Sequence, residues 1–384
     1  MLRRLCCLGA ALLLLGGLLS PVRAEGLELA APAYVLMEKS TGEILQEQNA
    51  HERLPPASVT KIMTLLLIME ALEDGRISWE DEVTASAAAA AKGGSQIYLE
   101  ENERLPLTEM LKSVVVSSAN DCACALAEHL AGSESAFVDM MNRRAQELGM
   151  QDTHFVNCTG LDDEPNAQEH LTSAYDIALM SRALLQHARI KEYTTIWMDT
   201  VRDGRFGLSN TNKLVRFYDG TTGLKTGYTS KAGHCLSASA ERGGMELIAV
   251  VLNCKSSVDR FESAKALLNY GFSNYALYTP QTEGALAPIP VRLGRQASVA
   301  ALLEDETPVL MEKLRLSSAQ TELTLEPELP APVRAGQQVG TLRVLAGGKL
   351  LCERRIVAAQ DVEKCTFGEI LGSLLRRICM LRPA

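Results

Sequence analysis

The apolar positions of this chain change period several times, and each change predicts a different element. "AYVLMEKSTGEILQEQN", from Ala33, sets two apolar runs around Ser40-Thr41-Gly42 and reads as two strands joined by a turn. "PPASVTKIMT" comes next and leads into the apolar-rich run "IMTLLLIMEALEDG", which stops at Gly75. That run predicts a largely buried helix. Pro55 and Pro56 suit its beginning, because a proline there gives up a backbone donor that has no partner anyway. From about Ser78 to Arg189 the pattern is mostly helical, most clearly in "LTEMLKSVVVSSANDCACALAEHLAG". "HCLSASAERGGMELIAVVLNC" carries alternating or apolar runs on both sides of Arg242-Gly243-Gly244 and reads as a hairpin. "RFESAKALLNYGF" returns to helical spacing. Strands at both ends of a helical insertion imply a sheet whose edges are distant in sequence.

Near "YALYTPQTEGALAPIPV" the pattern changes again, with prolines at 280, 288 and 290. Beyond it, "ASVAALLED", "PVLMEKLRLSS", "TELTLEPEL" and "QQVGTLRVLAGGKLLCERRIVAA" read as short strands, with Gly347-Gly348 as a two-residue hairpin turn. The last stretch, "TFGEILGSLLRRICMLRPA", opens on a capping-box pattern, Thr366 to Glu369. Phe367, Ile370, Leu371, Leu374, Leu375, Ile378 and Leu381 then form one apolar helical stripe, with Arg376, Arg377 and Arg382 supplying positive charge. Such a helix fits the surface of an anionic membrane; docking on the preceding β-rich domain is the alternative. At the other end, Arg3 and Arg4 precede a leucine-rich run, and "VRA" ends in a small residue at Ala24. This reads as a cleaved secretory signal rather than a membrane anchor. The expected divisions are 1–24 signal peptide, 25–280 first domain, 281–362 β-rich domain and 363–384 amphipathic helix.

Composition narrows the classes. The 384 residues are 47% hydrophobic and 22% charged, which is globular, and their number favours two domains. A formal charge of −9 argues against a nucleic-acid surface. Eight cysteines lie beyond the signal: Cys122, Cys124, Cys158, Cys235, Cys254, Cys352, Cys365 and Cys379. They show no paired C-x-x-C, so no zinc site is expected, and most read as small buried hydrophobes.

Three short segments carry candidate chemistry. Ser58 and Lys61 stand three apart, a spacing that puts both on one face of a helix. "VVVSSANDC" holds Ser118-Ala119-Asn120, and "TTGLKTGYTS" holds Lys225-Thr226-Gly227. S-x-x-K, S-x-N and K-T-G in this order are the signature of penicillin-binding proteins and class A β-lactamases. The chain resembles the low-molecular-mass penicillin-binding proteins of the D-alanyl-D-alanine carboxypeptidase family. "LMEKSTGEIL", "PPASVTKIMT", "HFVNCTGLDD", "TSAYDIALMSRALL" and "TGLKTGYTSKAGHCLSASA" also read like family segments, in family order. Two departures are mild: Ala119 stands where glycine is common, and Cys158 where proline is common.

The resemblance implies an α/β (α+β) transpeptidase fold of the penicillin-binding/β-lactamase type. An antiparallel sheet with a helical insertion would be followed by a small β-rich domain and a terminal amphipathic helix. It implies an exported enzyme acting at the outer face of the cytoplasmic membrane. Its substrates would be peptidoglycan stem peptides and its inhibitors β-lactams, with no metal or cofactor. Ser58 would be the acyl-ester nucleophile. A serine hydroxyl needs a base, and none of the six histidines sits in a recognisable triad motif, so Lys61 is the better base. Lys61 must then be neutral, and burial and a second cation, Lys225, both push a lysine that way. Ser118 would relay a proton and Asn120 would hold a substrate carbonyl. The N–H groups of Ser58 and Tyr228 would form an oxyanion hole, and Gly227 would let substrate lie against a strand. Lys225, Thr226 and Arg260 would read the terminal carboxylate; a solvated helix-start charge is the plainer reading of Arg260. Cys158 is a remote rival nucleophile. D,D-endopeptidase, β-lactamase and a catalytically silent penicillin- or wall-binding scaffold are the rival functions.

Overall fold

The structure, a computed structural model, describes residues 27–280, 282 and 286–378. The expected signal segment 1–24 and the tail residues Cys379, Leu381 and Arg382 lie outside them.

The central sheet is antiparallel and joins chain segments from both ends of the first domain. Its strands are β1 (Ala33–Glu38), β2 (Ile44–Gln48), β3 (Thr221–Thr229), β4 (Gly233–Arg242) and β5 (Met245–Cys254), in the order β2-β1-β5-β4-β3. The edges β2 and β3 are far apart in sequence, as the pattern implied. Successive side chains on a strand face opposite ways. Val35 and Met37 of β1, with Ile248, Val250 and Leu252 of β5, therefore enter a core shared with the helical insertion. Tyr34 and Leu36, with Leu247, Ala249 and Val251, enter a second core. Both faces are covered, which is why "MELIAVVLNC" reads as a continuous apolar run rather than an alternating one.

Helix α1 (Lys61–Glu73) lies behind this sheet and is buried on nearly every side, from Ile62 to Met69. A helix apolar all round belongs in a core. Helices α2 (Leu107–Val116), α3 (Asn120–Ala131), α4 (Glu134–Glu147) and α5 (Ala174–Leu184) complete the insertion. Helix α6 (Ser257–Asn274) covers the opposite face through Phe261, Ala264, Leu267, Leu268 and Phe272.

One stretch that reads as continuous helix is broken. "LTEMLKSVVVSSANDCACALAEHLAG" forms α2 and α3, separated at Ser117–Ala119, where Ser118 has a φ of 64°. The Ser117 hydroxyl donates to the Ser113 carbonyl at 3.0 Å, and the Ser117 and Ala119 N–H groups converge on that same carbonyl. Serines that bond the local backbone compete with the helix ladder, and here they end it.

Beyond α6 the chain is β-rich around its own core, from Ile289 to Val362. Gly347 and Gly348, both at positive φ, turn the hairpin Gln338–Ala346 to Lys349–Ala358. Within "PVLMEKLRLSS" only Val309–Glu312 is strand; Lys313–Ser318 is a 3-10 turn. The strand Tyr275–Tyr278 pairs with Val309–Glu312, so the expected boundary near Pro280 falls in a loop between paired strands. The last described element is helix α7 (Phe367–Ile378).

Candidate active site

Ser58 stands on a 3-10 turn, Ala57–Thr60, that runs directly into α1. The residue before it, Ala57, has a φ of 48°, a left-handed value that non-glycine residues rarely adopt. Strain of this kind persists only where the surroundings fix it. Two glycines do so. A Cβ on Gly160 would lie 1.9 Å from the Ala57 carbonyl oxygen, and one on Gly227 would lie 2.6 Å from the Pro56 oxygen and 3.1 Å from the Ser58 nitrogen. The serine turn is thus pressed between the loop at Gly160 and the edge strand β3.

Lys61 is fully buried, and its Nζ donates to Ser58 Oγ at 2.9 Å and to the Thr159 carbonyl at 2.9 Å. Burial lowers its pKa to about 7, against opposing pulls from Cys158 and Asp121. Lys225, on β3, is also buried and donates to the Thr226 carbonyl at 2.8 Å. Its pKa falls well below the ordinary lysine value, by burial first and then by repulsion from Lys61 and Arg260. The sequence reading gave Lys225 the task of lowering Lys61. Desolvation is the largest cause lowering Lys61, and repulsion between the two buried ammoniums is mutual.

Ser118 and Asn120 come from the α2–α3 break. Ser118 Oγ and Asn120 Oδ1 are buried with no hydrogen-bond partner among the described residues. Asn120 Nδ2 donates to the Gly93 carbonyl at 2.7 Å, and its backbone N–H to the Ser95 carbonyl at 2.7 Å. Thr226 Oγ1 donates to Thr211 Oγ1 at 2.7 Å, and the Thr211 N–H reaches the Val116 carbonyl at the end of α2. This chain of bonds ties β3 to the Ser118 break. Tyr228 is exposed and stacks on His234, ring centroids 4.4 Å apart. Arg260 on α6 is buried, and its guanidinium donates to the carbonyls of Gly227 at 3.1 Å and Cys235 at 3.3 Å. It braces the strand from behind, which the solvated-charge reading does not allow for; its Nε has no partner among the described residues.

Three supports went unread in the sequence. Thr159 presents the carbonyl that holds Lys61. Asn157 builds that loop by accepting N–H bonds from Thr159 and Gly160. The Asn-x-Thr-Gly spacing is a recognisable side-chain turn signal and could have found it. Asp121, fully buried, accepts N–H bonds from Ile97, Leu99 and Cys122 and so anchors the loop that carries Gly93 and Ser95. His170 is a structural residue: Thr60 Oγ1 lies 2.8 Å from its Nε2, and burial lowers its pKa to about 3. A cavity of about 670 Å³ between Tyr98, Glu103, Arg202 and Phe206 contains none of the candidate residues.

A half-buried serine bonded to a fully buried lysine beside an edge strand, under an antiparallel sheet and a helical insertion, defines a serine peptidase of the penicillin-binding class. The sequence profile of D-alanyl-D-alanine carboxypeptidases matches residues 20–256, and that of the penicillin-binding protein 5 C-terminal domain matches residues 274–364. The D-alanyl-D-alanine carboxypeptidase DacF of Bacillus subtilis is 39% identical over 350 residues, covering 90% of this chain and 89% of its own. Penicillin-binding protein 5 of Haemophilus influenzae superposes with a TM-score of 0.77 at 29% identity, over 88% of this chain and 98% of that one. Penicillin-binding protein D2 of Listeria monocytogenes, solved with ampicillin and with cefotaxime bound, is 32% identical with a TM-score of 0.59, over 64% of this chain and 99% of its own. The chain belongs to the D-alanyl-D-alanine carboxypeptidase family and is a serine-type enzyme of that activity.

Proposed function

We propose that the enzyme removes the terminal D-alanine from peptidoglycan stem pentapeptides through an acyl-enzyme on Ser58. The observation that carries this is the 2.9 Å bond between Ser58 Oγ and a fully buried Lys61 whose pKa is about 7. Such a lysine is about half neutral at neutral pH and able to take the serine proton. Oγ attacks the carbonyl of the penultimate residue. The N–H groups of Ser58 and Tyr228 hold the oxyanion; such a donor is worth about 2.7–4 kcal/mol. Ser118 passes the proton to the departing D-alanine amine, and water then releases the acyl group. The unpartnered Ser118 Oγ and Asn120 Oδ1 support this reading, since buried polar atoms normally find a partner and a substrate supplies one.

Lys225 and Thr226 meet the terminal carboxylate, with Arg260 adding charge and bracing Gly227. β-Lactams acylate the same serine. Residues 25–280 form the catalytic unit and 281–362 the β-rich one. The chain is exported by residues 1–24 and works at the outer face of the cytoplasmic membrane in cell-wall biogenesis and cell shape, held there by the terminal helix.

Ser58→Ala is expected to abolish both D-alanine release and covalent labelling by a fluorescent penicillin. A labelled adduct that persists in that variant, mapped to another residue such as Cys158, refutes the assignment. Arg260→Ala is expected to slow peptide hydrolysis more than reaction with a small thioester lacking the D-alanine carboxylate; equal losses give it a bracing role alone.

A further inference from the structure

Two cysteines outside the catalytic reading lie together behind the site. Cys124 on α3 and Cys158 on the loop before Thr159 are both fully buried. Their sulfur atoms and a carboxylate oxygen of Glu134 all lie within 4.8 Å of one another. Cys158 Sγ donates to Glu134 Oε1 at 3.1 Å, and its backbone N–H reaches the same oxygen at 3.2 Å. Cys124 Sγ lies 3.8 Å from Glu134 Oε2. Lys92 Nζ is 2.7 Å from that same Oε2 and 2.6 Å from Glu164.

We propose that Cys124 and Cys158 close into a disulfide that ties helix α3 to the loop holding Lys61. The position gives the cross-link its meaning. Cys124 lies one helical turn after Asn120, on the same face of α3. The Cys158 carbonyl accepts from Thr64 Oγ1 at 2.7 Å, and the next carbonyl, Thr159, holds Lys61. One bond between the two sulfurs joins both walls of the site from behind. A metal ion fits this cluster poorly. The Lys92 ammonium already occupies the Glu134 carboxylate, and the Cys158 thiol is pushed well above its ordinary value by Cys124, by burial and by Glu134, so it resists becoming the thiolate a metal requires. Closing the disulfide removes the Cys158 and Cys124 S–H donors from Glu134. The carboxylate keeps Lys92 and the Cys158 N–H, so no buried charge is left alone.

The oxidant is a dissolved disulfide such as oxidised glutathione. Local opening lifts the burial that suppresses ionisation of the two cysteines. One protein thiolate then attacks the reagent and expels a glutathione thiolate, and the second protein thiolate attacks the resulting mixed disulfide and expels the other, each leaving thiolate taking up a proton given up by a cysteine. Two electrons and two thiol hydrogens pass from the cysteines to the glutathione disulfide, which becomes two glutathione thiols. The reaction does not depend on the assignment of Ser58 or on export.

The test equilibrates the purified full chain with graded ratios of reduced to oxidised glutathione, in urea just below the unfolding transition so that local opening admits the reagent. Samples are acid-quenched, alkylated and mapped by mass spectrometry. The expected result is a peptide joining Cys124 to Cys158, two hydrogens lighter than the dithiol. Its Tm should lie about 5–10 °C above the reduced form, because the link closes a long loop of the unfolded chain. Cys124→Ala and Cys158→Ala proteins should lack that oxidant-dependent gain. Both residues alkylated at every ratio, glutathione adducts without the cross-link, or one zinc per chain protecting the reduced pair from alkylation would each overturn the proposal.

Discussion

At the scale of single residues, one ammonium decides the chemistry. Burial lowers the Lys61 pKa to about 7, while its two bonds, to Ser58 Oγ and the Thr159 carbonyl, fix where its lone pair points once the proton leaves. Only the neutral form is a base. Acylation by a penicillin should therefore fall about tenfold for each pH unit below 7 and level off above it, measured by stopped-flow between pH 5.5 and 9. A flat profile refutes Lys61 as the base. Lys61→Arg keeps the charge but cannot lose it, and should cost about 10²–10⁴-fold in acylation. The sign for stability is separate. An unfolded lysine titrates near 10.4, so between about pH 7 and that value the unfolded chain binds more protons. The burial penalty of Lys61 is full below 7 and is relieved as pH rises through this window. The Ser58–Lys61 contact was legible only from the three-residue spacing taken together with the Ser118-x-Asn120 and Lys225-Thr226-Gly227 segments. The carbonyl of Thr159 was not, because a backbone acceptor leaves no mark in residue identity and shows only through the Asn157 turn that presents it.

At the scale of elements, the site depends on three pieces of backbone meeting at contact distance. Strands β1, β2, β4 and β5 were readable because their apolar runs are framed by turn residues, as at Gly243-Gly244 between β4 and β5, whereas Lys225-Thr226-Gly227 lies within β3 and not ahead of a strand as its pattern read. The α2–α3 break was not readable, since "SVVVSSANDC" satisfies helical spacing throughout and the break comes from the Ser117 hydroxyl and two N–H groups sharing one carbonyl. That break places Ser118 between the two helices, outside either ladder, and starts α3 at Asn120. The K-T-G glycine has an equally local reason. A Cβ at 227 would meet backbone on the serine turn, the Pro56 oxygen at 2.6 Å and the Ser58 nitrogen at 3.1 Å, and backbone cannot rotate away as a side chain can. Gly227→Ala should therefore push β3 off the Ser58 turn. We expect a loss of at least about 10²-fold in acylation, as from a misplacement near 1 Å, with a Tm drop of only a few degrees. A fully folded variant acylating at the wild-type rate would mean that β3 does not form the wall of the site.

At the scale of the whole molecule, the question is what the exposed terminal helix is for. The chain is held to the β-rich unit as far as Cys365, whose N–H bonds the Leu293 carbonyl. The capping box at Thr366 and Glu369 then starts α7, with the Glu369 carboxylate accepting from the Thr366 N–H at 2.6 Å and from its hydroxyl. Arg295 adds an ion pair to Glu369 at 3.2 Å, a solvent-screened surface contact that does little to hold the helix. Along α7, Phe367 and Ile378 are 80% and 76% exposed, and Leu371, Leu374 and Leu375 are exposed with them. A helix docked on the β-rich unit would have buried this stripe. Its 12 described residues extend about 18 Å at ~1.5 Å each, and no described helix is long and apolar enough to cross a membrane. The exposed stripe supports the proposal of a helix lying flat, its apolar side among acyl chains and Arg376 among headgroups. Removal of residues 367–384 should release the enzyme from anionic vesicles in co-sedimentation and leave turnover of a soluble peptide within about twofold. Salt should weaken binding without abolishing it, because screening acts on the arginines and not on the buried apolar area. If the full-length and shortened proteins stay equally in the supernatant with anionic and neutral vesicles, the stripe faces a protein partner instead of lipid.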